Sequence, residues 1–188
     1  ESYLERCISN DLKRDKSVGE RVIRQIFNKY VRRAGAPNKQ IERTPGLRSA
    51  IICDLDGTLC LFGDKNPYER DFENDIPNAA ILELLYRIDS CNWNGVGEWT
   101  DIIFVSGRNG KYFDVTRKWL DDRGFRIYPL FMRQPDDIRK DVVVKQEIYE
   151  KLIKENWNIN FVLDDRNQVV KLWRSLGLTC MQVAEGDF

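Results

Sequence analysis

The sequence predicts an α/β fold, a Rossmann-like parallel sheet with helices on both faces, and three observations carry that prediction. Ala50-Ile-Ile-Cys53 is an apolar run of strand length that opens directly onto Asp54-Leu-Asp-Gly-Thr58. This is the pattern of a strand buried on both faces and ending at a polar sheet edge. Residues 101–105, 127–132, 160–163 and 179–183 read as further strands. Amphipathic helical segments separate them, and strands that alternate with helices form parallel sheets.

Taken in order, residues 1–16 are polar, carry the mixed charge run 11–16, and read as solvated chain. Ser17-Val-Gly-Glu20 has the spelling of a capping box. Val18, Val22, Ile23, Ile26, Phe27, Tyr30 and Val31 then repeat at helical spacing, with Gly35 and Pro37 as stop signals. Residues 37–48, which include Pro45-Gly46, read as a linker. The expected organisation is a helical remnant of a preceding domain over 1–36, a linker over 37–48 and the main domain over 49–188. After the aspartate strand, residues 59–75 read as a loop or short cap. Pro77 suits a helix start, with Ile81, Leu82, Leu84, Leu85 and Ile88 as the buried face. The second strand ends in Ser106-Gly-Arg108. A helix over 112–123 turns Phe113, Val115, Trp119 and Leu120 inward and closes at Gly124. A helix over about 141–155 buries Val144, Ile148, Leu152 and Ile153. The fourth strand ends in Asp164-Asp165, followed by a helix that Gly177 stops.

Composition narrows the chemistry. Thirty Lys and Arg balance thirty Asp and Glu, so a polynucleotide contact has to come from a local patch and not from bulk charge. The chain has no histidine, which excludes Ser-His-Asp catalysis, histidine bases and histidine metal ligands. Cys7, Cys53, Cys60, Cys91 and Cys180 are odd in number, scattered and without Cys-x-x-Cys spacing. That argues against a zinc site or disulfide framework and for a reducing compartment, the cytoplasm. No apolar run has the length of a bilayer span, so no membrane partner is expected. Glu1 and not Met opens the chain, and a piece of a longer protein is expected.

Four strand or helix ends offer Asp54 and Asp56, Ser106 with Arg108, Lys145, and Asp164 with Asp165. Each alone has a plainer reading. Asp-Gly forms turns, Ser-Gly-Arg can cap a helix, a helical lysine is ordinarily solvated, and Asp165 with Gln168 has capping-box spacing. Their appearance in this order after consecutive strands points to one site on one sheet edge. Clustered carboxylates without histidine suit Mg²⁺. A carboxylate nucleophile, a cation and a second acid are the parts of phosphoryl transfer through an aspartate.

These residues resemble the four motifs of the haloacid-dehalogenase phosphatase superfamily over residues 48–188, which implies that type of fold with a small or absent cap. Closer still, the chain resembles the 3′-phosphatase half of phage-type polynucleotide kinase/phosphatases. The runs Asn66-Pro-Tyr68, Val105-Ser-Gly-Arg108, Thr116-Arg-Lys-Trp119, Arg139-Lys-Asp141, Val143-Val-Lys145, Asp164-Asp-Arg166 and Gln182-Val-Ala184 carry it. Ser9-Asn-Asp-Leu-Lys-Arg14 and the helix from Val18 resemble the end of that family's kinase half, whose phosphate-binding loop is absent here. The resemblance implies that Asp54 attacks a 3′-phosphate and Asp56 serves as acid and base. Ser106 and Lys145 hold phosphate oxygens, and Mg²⁺ sits between Asp54, the Asp56 carbonyl and Asp164 or Asp165. It also implies roles for Arg108, Arg133 and Asp141, and for Lys65 where the family has arginine, a change that forfeits a bidentate contact. Implied partners are single-stranded or nicked DNA or RNA 3′ ends, a covalently preceding kinase domain and a second copy of the chain. Opening of 2′,3′-cyclic phosphates and, for a viral chain, the host cytoplasm belong to the same expectation.

Only about twenty residues separate Thr58 from the next helix, too few for a lid domain. An uncovered site admits a strand end more readily than it encloses a metabolite. Arg108, Arg117, Lys118, Arg123, Arg126, Arg133, Arg139 and Lys140 are candidates for a basic rim. The rival readings are a small-molecule phosphomonoesterase of the same superfamily and a catalytically idle nucleic-acid or assembly module.

Overall fold

The computed structural model describes residues 3–31, 42–61 and 71–186. The chain divides into two compact units, residues 1–39 and 40–188. In the first unit the stretch expected to be solvated chain forms helix α1 (Tyr3–Asp11). Its last residue organises the turn that follows: the buried Asp11 carboxylate accepts from the Ser17 hydroxyl at 2.7 Å and from the N–H groups of Val18 and Gly19. The Ser17 bond, with those from the backbone, holds the Asp11 carboxyl below its usual range. Ser17 therefore faces back to Asp11, and the expected capping box does not form. Helix α2 (Glu20–Ile26) starts after Gly19, whose φ of 84° only glycine adopts cheaply, and passes into a π turn over Phe27–Val31. Val18, Val22 and Ile26 are exposed instead of inward. The stop signals at Gly35 and Pro37 lie outside the described residues.

The second unit begins with a turn whose Thr44 exchanges hydrogen bonds with the Asn158 side chain. Strand β1 (Arg48–Cys53) follows, so the expected linker ends inside a strand. A small antiparallel ribbon, β2 (Cys60–Leu61) with β3 (Ile76–Pro77), occupies part of the predicted loop. Pro77 lies in this ribbon and does not start a helix; α3 (Ala79–Trp93) begins two residues later, behind Asn78. Then come β4 (Thr100–Asn109), α4 (Phe113–Asp121), β5 (Leu130–Arg133) and α5 (Asp141–Ile148), the last continued by a π turn over Tyr149–Ile153. Strand β6 (Trp157–Arg166), α6 (Asn167–Ser175) and β7 (Cys180–Gly186) complete the unit.

All five long strands are parallel, in the order β5-β4-β1-β6-β7, as the alternation of elements predicts. Side chains of a strand alternate between faces, and β1 obeys this. Ile51 and Cys53 join Phe104, Leu163, Ile81 and Leu85 of α3, and Trp119 and Leu120 of α4. Ala50 and Ile52 join Val105, Val162, Val144 and Ile148 of α5, and Val169 and Trp173 of α6. Three expected core residues are exposed: Leu84, Phe113 and Leu152. Leu84 flanks the Ile81–Leu85 stripe, and Phe113 opens its helix. Leu152 falls in the π turn, whose wider winding leaves it exposed while Ile153 is buried as expected. The third strand starts at Leu130 because a turn from Phe125 to Tyr128 uses the residues before it and leaves Ile127 exposed.

From β1 the chain first builds the β4–β5 side and then returns to build β6–β7 on the other. A crevice therefore opens where the order reverses, at the carboxyl ends of β1, β4 and β6. The opposite edge is tied by Asp101 at the start of β4, a buried carboxylate that accepts from the indoles of Trp99 at 2.9 Å and Trp157 at 2.7 Å and pairs with Arg48 at 3.2 Å. Asp101→Ala leaves two indole N–H groups and a guanidinium without their acceptor. Urea denaturation is expected to show a loss of about 2–3 kcal/mol.

Candidate active site

The chain turns sharply after β1 because Gly57 has a φ of 85°, and a Cβ there would sit 2.2 Å from Asp165 Oδ2. Glycine is thus required twice, for the turn and for the approach of β6. The turn leaves Asp54 and Asp56 at the floor of an open cleft of about 710 Å³, which Arg108, Arg133, Asp141 and Lys145 also line.

Lys145 is the centre of the site. Its expected fallback as a solvated lysine does not apply, because it is 1 % exposed. The ammonium donates to Asp54 Oδ1 at 2.6 Å and Asp164 Oδ2 at 3.0 Å, and lies 3.6 Å from Asp141 Oδ2. Burial works against its charge, but Asp141, Asp164 and Asp54 together hold it protonated well above the usual lysine range. Burial pushes the Asp54 carboxyl well up, Lys145 opposes this, and Asp164, Asp141 and Asp56 add to it. Asp164 is held on both oxygens, by Lys145 and the Trp173 indole on one and by the Arg166 N–H on the other.

Arg108 organises the second carboxylate. Its guanidinium grips both oxygens of Asp56 at 2.7–3.0 Å and reaches Asp75 at 2.5 Å, with the Phe72 ring 4.6 Å from its centre. Burial opposes its charge, which Asp56 and Asp75 maintain. Ser106 lies inside β4, which runs on to Asn109, and is fully buried; its hydroxyl accepts from the Arg108 N–H and does not line the cleft. Arg133 donates to the Gly107 carbonyl at 2.7 Å and lies 3.7 Å from Asp141. Asp141 Oδ1 is buried without a hydrogen-bond partner among the described residues, tight against Gly107. Asp165 accepts from the Thr58 hydroxyl at 3.2 Å and does not cap α6, whose N-cap is Arg166. Burial, with Asp164 beside it, raises the Asp165 carboxyl. Lys65 lies outside the described residues.

The broad basic rim is corrected. Arg117 pairs with Asp121, Lys118 with Asp122 and Glu73, and Arg123 stacks on Trp119. None of these, nor Arg126, lines the cleft. Asp75, Phe72 and Trp173 escaped the sequence reading. Asp75 and Phe72 lie far along the chain from Arg108, and Trp173 is nine residues from Asp164, a separation that no helix or strand spacing marks.

One oxygen from each of Asp54, Asp164 and Asp165 falls within 4.8 Å of the others. This all-oxygen, buried donor set fits a hard divalent cation such as Mg²⁺.

An Asp-x-Asp turn after the central strand, a buried lysine and a further acidic pair on the neighbouring strand define the haloacid-dehalogenase class of α/β phosphatases. Residues 48–188 match the family described as the polynucleotide kinase PNKP phosphatase domain, and the chain belongs to that family. It is 32% identical over 132 residues to a protein of Autographa californica nuclear polyhedrosis virus described as a bifunctional polynucleotide kinase/RNA ligase. That match covers 68% of this chain and 18% of the viral protein. Solved structures are similar as well. A chain of a Pnkp1/Rnl/Hen1 complex is 34% identical with a TM-score of 0.72, covering 82% of this chain and 52% of that one. A chain of the Pnkp1/Rnl/Hen1 RNA repair complex is 28% identical with a TM-score of 0.73, covering 98% and 62%. No helix among the described residues is long and apolar enough to cross a membrane.

Lys145→Met, which keeps the stem and removes the charge, leaves buried Asp54 and Asp164 facing each other. Without added divalent ion it is expected to lose about 3–5 kcal/mol at pH 7 in urea denaturation. Burial raises the Asp54 carboxyl well above its usual range, and the variant lacks the ammonium that opposes this. Its deficit therefore shrinks as pH falls and buried Asp54 takes up a proton.

Proposed function

We propose that this chain is a Mg²⁺-dependent polynucleotide 3′-phosphatase that acts through an aspartyl phosphate, serving end healing of RNA or DNA. The observation that carries the reading is the pairing of two cleft-floor carboxylates with different cations, Asp54 with Lys145 and Asp56 with Arg108. Equivalent acids in unlike surroundings are suited to separate roles. Membership of the phosphatase-domain family supports it, as do the RNA-repair context and kinase/ligase description of the relatives.

Asp54 attacks phosphorus through the oxygen that Lys145 does not hold, while the bond to the 3′-oxygen breaks and Asp56 delivers a proton to it. Water then attacks the aspartyl phosphate, gives its proton to Asp56, and releases Asp54 and inorganic phosphate. Asp56 cannot donate while Arg108 keeps both its oxygens as an anion. The incoming phosphate competes for the guanidinium, which stays anchored on Asp75, and Asp56, partly exposed to the open cleft, then takes from solvent the proton it delivers. Lys145, with Ser106 supporting the Arg108 backbone, keeps the phosphate cradle charged. Arg133 and Asp141 position the wall beside it. Asp54, the Asp56 carbonyl and Asp165 are the groups that would hold Mg²⁺, whose charge when bound offsets that of the phosphate. Asp165 is preferred to Asp164, whose two oxygens already serve three donors.

The same reading assigns residues 1–36 to the end of a kinase domain and 37–47, up to β1, to a linker. The division into units at Lys39 and Gln40 and the greater length of the relatives support this.

Phosphate release from a short 3′-phosphorylated oligonucleotide is expected with Mg²⁺ and not with EDTA. Asp54→Asn is expected to lower it at least about 10³-fold. Release from p-nitrophenyl phosphate but not from the oligonucleotide would keep the chemistry and sink the polynucleotide substrate. Arg108→Lys, which retains charge but not the two-point grip, is expected to lower kcat about 10- to 100-fold.

A further inference from the structure

Ile138 is 97 % exposed, yet it lines the reactive cleft. An isoleucine held in water on a pliant loop would call for no comment, but this loop is built to be rigid. Asp136 takes a left-handed φ of 63°. The Asp137 carboxylate accepts from the Arg139 N–H at 2.9 Å and from its guanidinium. Arg139 holds that carboxyl down to about 2, so the contact stays ionic at any working pH. From beneath, Arg133 donates to the carbonyls of Gly107, Asp137 and Arg139. From the side, Arg139 pairs with Glu147 of α5 at 2.6 Å.

The cations of this wall are not equal. Arg108, Arg133, Arg139, Lys145 and Arg166 each face a carboxylate of the protein. Lys140, next to the lip, has no ion-pair or ring partner among the described residues. A stiff edge that presents one apolar side chain and one uncompensated ammonium to the cleft matches a nucleobase joined to a phosphodiester.

Resting on the 3′-phosphatase reading, we propose that residues 138–140 form the strand-binding lip. Ile138 packs against the base of the 3′-terminal nucleotide, and Lys140 meets the phosphodiester that precedes it.

The test compares phosphate release from a 3′-phosphorylated oligothymidylate with release from the same strand carrying an abasic 3′-terminal residue. The intact chain, Ile138→Ala and Lys140→Ala are assayed, with p-nitrophenyl phosphate hydrolysis as the control for folding. Ile138→Ala is expected to raise KM about fivefold to tenfold on the complete strand, with KM on the abasic strand equal to that of the parent. Lys140→Ala is expected to raise KM on both strands and to lower the slope of log KM against log salt by about 0.7, one phosphate contact on a single strand. If the parent acts on both strands and the variants match it, or Ile138→Ala loses equally on both, the lip assignment is overturned alone. If the parent hydrolyses p-nitrophenyl phosphate and neither strand, the 3′-phosphatase reading falls and the lip with it.

Discussion

One buried ammonium sets the conditions for the rest of this structure. Lys145 stands among Asp54, Asp141 and Asp164, which arrive from the end of β1, the start of α5 and the end of β6. Carboxylates that close, away from water, repel strongly and cannot all remain ionised without a counter-charge. The arrangement therefore requires β1 and β6 to be neighbours and α5 to cross the sheet face so that its first two turns overlie their ends. Sheet order and site electrostatics are two statements of one constraint. Pairs of this kind contribute little net stability, but breaking one leaves an uncompensated buried charge.

Arg108 repeats the device at the cleft mouth with a different outcome. It is shared between Asp56 and Asp75, packed under Phe72 and tied by its own backbone to Ser106. Asp56 remains partly accessible where Asp54 is not, which suits the proposed roles of proton exchange with the cleft for one and attack for the other. A resting site whose acids and bases are matched to one another suits a chain of zero formal charge. On the proposed function, recognition of a polyanion falls to a few uncompensated groups at the edges and not to a broad basic surface.

Much of this was legible in the sequence. The parallel sheet, the helices on both faces and the position of Asp54, Asp56, Arg108, Asp164 and Asp165 at strand ends follow from apolar runs that stop abruptly at polar residues. Local signals misled where a second partner competed. Ser17 reads as a cap but serves Asp11, Asp165 reads as a cap but faces Thr58, and Pro77 reads as a helix start but lies in a ribbon. Leu152 has the right spacing for a core residue in an α-helix and the wrong one in the π turn that forms there.

By itself the sequence determined the alternation of the five sheet strands with their helices, the chemistry available without histidine, and the strand ends at which that chemistry gathers. These are set by composition and by periodicities of two and 3.6 residues, which are local. Only the tertiary structure decided that Lys145 is buried between two strands, that Arg108 is shared with Asp75, that Trp173 holds Asp164, and that Arg117, Lys118 and Arg123 turn away from the cleft. The Lys145 and Arg108 contacts depend on groups tens of residues apart meeting across the sheet, and the others on which helix face packs inward. In both, burial and the nearest opposite charge outweigh local propensity.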